Sequence, residues 1–387
     1  MPFNHPTARA IQEALDKVGL DGSWRTYNGP NLDLLRSMLG QLFGRDHVRL
    51  CCSGTFGIEL AIRSLRLDPS AEVLLAGYDY PGNFRAIEDA GARVALSDVA
   101  SNDWVPNIDS LAASVGENTR AVVISHLHGS LAPMESICRW AKDNDIFVIE
   151  DACQEPGSRM NCETESKLAG SWGDISVFSF GGSKLLSAGR GGAVMTNDSR
   201  LSQRMTVYCE RGNDAYALSE LQAAIVLPQL ERLEQDNTLR RDAANRLRNQ
   251  LQRFEWIDVV EPDEGNQPGF YKIGLRIHSS ALESTQVQKL VRDRKHQRNT
   301  ESDVAFLRNV VTEYLESFSI AVGPGFKGFA NRSNSRCRRG ASLQHSIAAA
   351  EETLVLHHSH LLDPETGVDT VDQVVEAFER IHEEIFG

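Results

Sequence analysis

Short apolar runs recur through the first half of the chain, at residues 48–52, 72–76, 94–98, 121–125, 146–150 and 175–180. They are apolar along nearly their whole length, as strands buried on both faces are, and stretches of helix length lie between them. Strands alternating with helices predict a mainly parallel sheet covered on both sides. Apolar residues at helix spacing over 9–18 and 32–42 predict two helices ahead of the first strand, parted by the turn signals Asp21-Gly22 and Asn28-Gly29-Pro30. That segment reads as an arm docked over the sheet. An amphipathic helix is expected at 56–67, and a long one at 227–251 with Arg and Glu on its polar face serves as a connector. From Trp256 onward the pattern is that of a smaller α/β unit, with a strand at 269–277 and helices at 284–291, 303–318 and 368–385. A chain of 387 residues exceeds one ordinary core. The expected division is a large domain over 1–245 and a small one over 246–387.

Composition narrows the function classes. Hydrophobic residues at 41% and charged residues at 24% describe a globular protein with a substantial core. A net charge of −13 argues against nucleic acid as a partner. The densest basic run, Lys-Leu-Val-Arg-Asp-Arg-Lys-His-Gln-Arg at 289–298, reads as a solvated helix face. Seven scattered cysteines show no Cys-x-x-Cys spacing and no disulfide framework. The start, Met-Pro-Phe-Asn-His-Pro, has neither a charged nor an apolar leader region, and no apolar run approaches membrane length. A reduced, cytoplasmic protein with no membrane partner is expected.

The chemistry gathers around Gly173 to Thr196. After the apolar run Ile175 to Phe180 comes a Gly-Gly-Ser turn, then Lys184, then the second glycine turn Gly189-Arg190-Gly191-Gly192. A lysine held among small residues can lose its proton more readily and act as a nucleophile toward an aldehyde. Ser53-Gly54-Thr55 joins the first strand to a helix, where free backbone N–H groups make a phosphate site, although the same residues also simply cap helices. Asp151 follows the strand at 146–150, and Tyr78 and Tyr80 follow the strand at 72–76. All these positions fall beyond the carboxyl ends of strands, where ligands of open α/β sheets bind.

The pattern Ser179-Phe180…Lys184…Gly189-Arg190-Gly191-Gly192-Ala193-Val194, with Ser53-Gly54-Thr55, Glu150-Asp151-Ala152-Cys153-Gln154 and Ser219-Glu220-Leu221-Gln222-Ala223-Ala224, resembles the DegT/DnrJ/EryC1/StrS family of sugar aminotransferases. The motifs cover roughly residues 30 to 240. The resemblance implies fold type I of the pyridoxal-phosphate enzymes, an α/β fold with a mixed, mainly parallel sheet and a smaller C-terminal α/β domain. It further implies that Lys184 forms the Schiff base with pyridoxal 5'-phosphate, and that Gly54, Thr55 and Ser179 contact the cofactor phosphate. Asp151 then pairs with the pyridine nitrogen, Gln154 lies near the phenolic oxygen, and Tyr80 stacks on the ring. The implied reaction moves an amino group from glutamine or glutamate to a keto sugar, nucleotide-linked, or to a keto cyclitol, in a C2 homodimer.

Two features depart from the family or stay outside its motifs. Ala215 and Ala217 stand where the family has an asparagine and an arginine, the first of which reaches the neighbouring subunit's phosphate; Asn213 or Arg211 is a nearby substitute. The loop at 326–339 holds Lys327, Arg332, Arg336, Arg338 and Arg339, either as an anion clamp or as a solvated loop. His126 and His128, and likewise His357, His358 and His360, lack acidic or thiol partners at ligand spacing, so no metal is expected, and His126 reads as structural or as a support behind the residues that touch the ligand. A dehydratase of the same fold has histidine in place of the lysine, which Lys184 argues against. A cofactor-binding protein without transaminase turnover is the other alternative.

Overall fold

The computed structural model describes residues 6–162, 166–210, 212–293, 302–363 and 365–386. Helices α1 (Pro6–Asp21) and α2 (Pro30–Phe43) precede β1 (His47–Cys51). There follow α3 (Gly54–Leu65), β2 (Glu72–Ala76), α4 (Pro81–Asp89), β3 (Arg93–Ser97), α5 (Ile108–Ala112), β4 (Thr119–Ser125), α6 (Met134–Asp143) and β5 (Phe147–Asp151). A small hairpin, β6 (Arg159–Met160) and β7 (Lys167–Leu168), leads to β8 (Ile175–Ser179), β9 (Gly192–Thr196), α7 (Ser199–Cys209) and α8 (Glu220–Leu251). The remainder comprises β10 (Ile257–Val259), β11 (Lys272–Ile277), α9 (Thr285–Asp293), α10 (Asp303–Ser317), β12 (Val322–Gly323), β13 (Cys337–Arg339), α11 (Gln344–Glu352), β14 (Thr353–His357) and α12 (Val371–Ile381).

The large sheet has the order β1-β9-β8-β5-β4-β2-β3-β13. All its strands run one way except β9, which is antiparallel to both β8 and β1. Alternate residues face opposite layers, as the strand period requires. Leu74, Val122, Val148 and Phe178 pack with α2, α6 and the first half of α8, while Val73, Val123, Ile149 and Val177 pack with α3, α4 and α7. Burying each such side chain contributes about 1.5–3 kcal/mol, so the two layers hold the sheet rigid beneath the site. A second, antiparallel sheet, β10-β11-β14-β12, forms a separate core with the last third of α8, α10 and α12.

Several boundaries differ from the sequence expectation. Helix α8 starts at Glu220 rather than 227, because Ser219 and Gln222 close a reciprocal capping box there, and Pro228 lies inside the helix. The expected domain boundary at 245/246 falls within α8, whose first half packs on the large sheet and whose end packs on the small one. Strand β13 lies beyond that boundary yet pairs in parallel with β3, Cys337 opposite Val94. The strand expected from 269 starts at Lys272: Gly269 N–H is held by Glu155 and Ser158 side chains, and Phe270 takes a positive φ of 54°. Of the basic run at 289–298, residues 294–298 lie outside the described residues. No helix among the described residues is long and apolar enough to cross a membrane.

Helix α2 is fastened to α8 through a buried carboxylate. Glu220, fully buried, accepts N–H bonds from Asn31 at 2.8 Å and Leu32 at 3.0 Å and so caps α2 from across the chain.

Candidate active site

A cavity of about 370 Å³ opens at the carboxyl ends of the central strands. All seven residues singled out from the sequence line it: Gly54, Thr55, Tyr80, Asp151, Gln154, Ser179 and Lys184. The fold brings them together because the loops after β1, β2, β5 and β8 all leave the sheet on one edge.

At one end lies the start of α3. Ser53 caps that helix, its hydroxyl accepting Phe56 N–H at 3.1 Å, so the bland reading of the Ser-Gly-Thr turn holds for Ser53. Gly54 and Thr55 are left facing the cavity. A side chain on Gly54 would lie 2.9 Å from both Cys153 Sγ and Ser179 Cβ, so only glycine lets α3 approach β8 this closely. The same holds for Gly192, where a Cβ would meet the backbone of Phe178 and Ser53 below 3 Å. Backbone amides at a helix N-terminus with two hydroxyls beside them suit a phosphate.

Lys184 stands on a turn pinned at several points. Its own N–H bonds Gly181 O at 2.9 Å, and Phe180 N–H bonds Gly191 O at 2.8 Å. From α8, Gln229 bonds both the N–H and the C=O of Ser187 at 2.8 Å, and Gln222 donates to Arg190 O at 2.9 Å. Thus the Ser-Glu-x-Gln motif serves structure: Glu220 caps α2 and Gln222 fastens the lysine loop. The Lys184 ammonium lies 4.2 Å from the ring centroid of Tyr271, whose hydroxyl bonds Ser183 Oγ at 2.7 Å.

At the other end, Asp151 accepts Asn83 Nδ2 at 2.8 Å and Cys153 N–H at 3.0 Å. A second buried carboxylate, Asp79, stands beside it. Burial, then the charge of Asp151, pushes the Asp79 carboxyl up to about 8, against the N–H and O–H groups that favour its ionised form.

The two tyrosines separate clearly. Tyr78 is fully buried, accepting Phe326 N–H at 3.0 Å and lying 3.1 Å from His128 Nε2. Tyr80 is 45% exposed on the cavity rim, with its ring edge-on to Phe326. His126 is structural: Nδ1 accepts Ala132 N–H at 3.1 Å and Nε2 lies 3.2 Å from Glu150. Burial opposes the Glu150 charge, but the hydrogen bond from His126 and the other donors around it hold the carboxyl below its usual range. Glu150 in turn takes the N–H groups of Gly170, Trp172 and Gly173, setting the loop ahead of β8.

The sequence reading did not single out Asp79, Asn83, Tyr271, Lys272 or Phe326 as site residues, and it left His128 without a role; all but Asp79 line the cavity. Asp79 and Asn83 flank Tyr80 at a spacing of four, a signal available in the sequence. Tyr271, Lys272 and Phe326 come from the second unit and carry no local motif. The arginine-rich loop braces the sheet edge: Arg336 pairs with Glu88 and Arg338 with Glu72, and Arg332 lies over the Phe84 ring. Ala215 and Ala217 are exposed and neither lines the cavity, Asn213 is exposed, and Arg211 lies outside the described residues. Among the described residues no group of His, Cys, Asp and Glu is arranged for a metal.

A phosphate seat, an amine, a rim aromatic and a buried carboxylate around one cavity fit pyridoxal phosphate. The comparisons agree. Residues 7–379 match the DegT/DnrJ/EryC1/StrS aminotransferase family. GDP-perosamine synthase of Escherichia coli O157:H7 is 27% identical over 257 residues, 63% of this chain and 70% of that protein. The matches to perosamine synthases span about two thirds of those proteins. A putative L-glutamine:3-amino-2,3-dideoxy-scyllo-inosose aminotransferase of Streptoalloteichus tenebrarius is 25% identical, covering 99% of this chain and 94% of that one. Among solved structures, a DegT DnrJ EryC1 StrS aminotransferase from Brucella abortus superposes with a TM-score of 0.80 at 20% identity, covering 99% of both chains.

Proposed function

The chain belongs to the DegT/DnrJ/EryC1/StrS aminotransferase family, whose enzymes work with pyridoxal phosphate, and on that premise we propose that it moves an amino group from glutamine or glutamate to a keto sugar, nucleotide-linked, or to a keto cyclitol. The observation that carries this reading is Lys184, placed at the same cavity as the α3 N-terminus and Asp151. Gly54, Thr55 and Ser179 hold the cofactor phosphate. Asp151 pairs with the ring nitrogen, Gln154 contacts the phenolic oxygen, and Tyr80 packs on the ring. Pyridoxal phosphate, when bound, supplies an electron-poor ring that accepts charge from the substrate carbon. Lys184 Nζ takes and returns the proton at the carbon that bears the amine.

Lys184 also favours amine transfer over the dehydratase reading, since a dehydratase of this fold has histidine there. The enzyme acts as a C2 homodimer in the cytoplasm. Its product belongs to amino sugar, surface polysaccharide or secondary metabolite synthesis.

The test is the visible spectrum of the purified protein with pyridoxal phosphate, before and after L-glutamine or L-glutamate. A protein-bound visible band that fades on adding donor is expected. Lys184→Ala removes the band and lowers donor-dependent conversion about 10²–10⁴-fold or more. Donor-dependent conversion that survives in Lys184→Ala overturns the mechanism.

A further inference from the structure

The cavity holds a second lysine. Lys272 opens β11, half-buried, and its ammonium lies 5.2 Å from the centroid of the same Tyr271 ring that Lys184 overlies at 4.2 Å. Among the described residues no carboxylate pairs with it. Burial, then the charge of Lys184, pulls the Lys272 ammonium down to about 8. A buried cation without a counter-ion is costly, and in a binding cavity the missing anion is supplied by a ligand.

His128 lines the same cavity, and one of its ring nitrogens lacks a partner. Tyr78 Oη accepts Phe326 N–H at 3.0 Å and lies 3.1 Å from His128 Nε2, which leaves the other ring nitrogen, Nδ1. That Nδ1 is buried and has no hydrogen-bond partner. Burial, then Lys272 and Lys184, hold the ring neutral, with its pKa down at about 3. The backbone is pinned as well: His128 O accepts Gly274 N–H at 2.8 Å, in a residue with a positive φ of 59°. Lys272 thus lines the cavity with no anion of this chain to receive its charge, while His128 Nδ1 is enclosed without a partner.

We propose that Lys272 seats the α-carboxylate of the amino-acid donor. The inference rests on the transaminase reading above. A donor's α-carboxylate is attached to the carbon that bears the exchanged amine, so it must lie close to Lys184 Nζ. Lys272 meets that requirement across one aromatic ring. A sugar phosphate stands several bonds farther from its reacting carbon.

The experiment follows the loss of the visible band in single-turnover reactions with L-glutamine and with L-glutaminamide, in which only the α-carboxylate is replaced by an amide. Wild-type enzyme prefers L-glutamine. Lys272→Gln raises the half-saturating L-glutamine concentration about tenfold to a hundredfold and narrows that preference by a similar factor, and Lys272→Arg restores part of it. Pyridoxal phosphate affinity and inhibition by GDP or dTDP stay at wild-type values. An unchanged L-glutamine constant in Lys272→Gln overturns the proposal, as does a variant whose loss is confined to nucleotide inhibition, which assigns Lys272 to a sugar-linked phosphate. Wild-type enzyme that shows no band, or a band that no donor changes, overturns the transaminase reading itself.

Discussion

Asp79 and Asp151 are two buried carboxylates that share their hydrogen-bond donors. Ser125 Oγ lies 2.9 Å from both oxygens of Asp79 and 3.5 Å from Asp151 Oδ2. Asn83 Nδ2 bridges Asp79 Oδ1 at 3.1 Å and Asp151 Oδ2 at 2.8 Å. Burial, and then the Asp151 charge beside it, disfavours the ionised form of Asp79.

This pairing has a pH signature. With the Asp79 carboxyl raised from 3.8 to about 8, the folded chain holds a proton here across that window which the unfolded chain has released. Stability therefore falls as pH rises through the window, by up to about 1.4 kcal/mol per pH unit. Asp79→Asn is expected to flatten the decline in denaturant midpoint between pH 5 and pH 8, measured without cofactor. An undiminished slope in the variant would place the proton elsewhere.

Gly54→Ala puts a methyl group 2.9 Å from Cys153 Sγ and Ser179 Cβ. Overpacking of this kind costs about 1–3 kcal/mol, and here it also pushes the helix start away from the phosphate seat. Titration of the visible band should show pyridoxal phosphate affinity lower by about tenfold or more. Gly19→Ala, in α1 with open space around it, is the control and should gain up to about 1 kcal/mol.

Glu220→Ala leaves the amides of Asn31 and Leu32 without their acceptor. A loss of about 1–3 kcal/mol is expected, with faster protease cleavage between α1 and α2 than elsewhere in the chain. If the variant melts like wild type, the cap is redundant.

Tyr271→Phe keeps the ring under Lys184 and removes the 2.7 Å bond to Ser183 Oγ. The cost should be about 1 kcal/mol in stability, with a donor half-reaction slowed by a few-fold. Tyr271→Ala, which removes the ring as well, should slow it much further. Equal rates for the two variants would deny the ring any part in placing the amine.

The large sheet could be read directly because each strand is a contiguous apolar run and each loop at its carboxyl end carries its own motif. Lys184, Asp151 and Ser53-Gly54-Thr55 were identifiable for that reason. Helix boundaries were less legible: the start of α8 depends on the capping box at Ser219, and a proline eight residues inside the helix obscures it.

What only the tertiary structure decided are contacts between residues far apart in sequence. Lys272 and His128 line one cavity because β11 packs beside the loop after β4, where Gly274 N–H bonds His128 O, and Arg338 reaches Glu72 because residues 337–339 return to the first sheet. Neither relationship leaves a periodic trace in the chain, since such side chains are chosen by a partner and not by the local element. The sequence by itself determined the alternation of strands and helices and the lysine-bearing loop, because backbone periodicity and turn chemistry are local. The burial that leaves Lys272 without a counter-ion, draws Asp79 against Asp151 and separates Tyr78 from Tyr80 arises only when distant segments exclude water together.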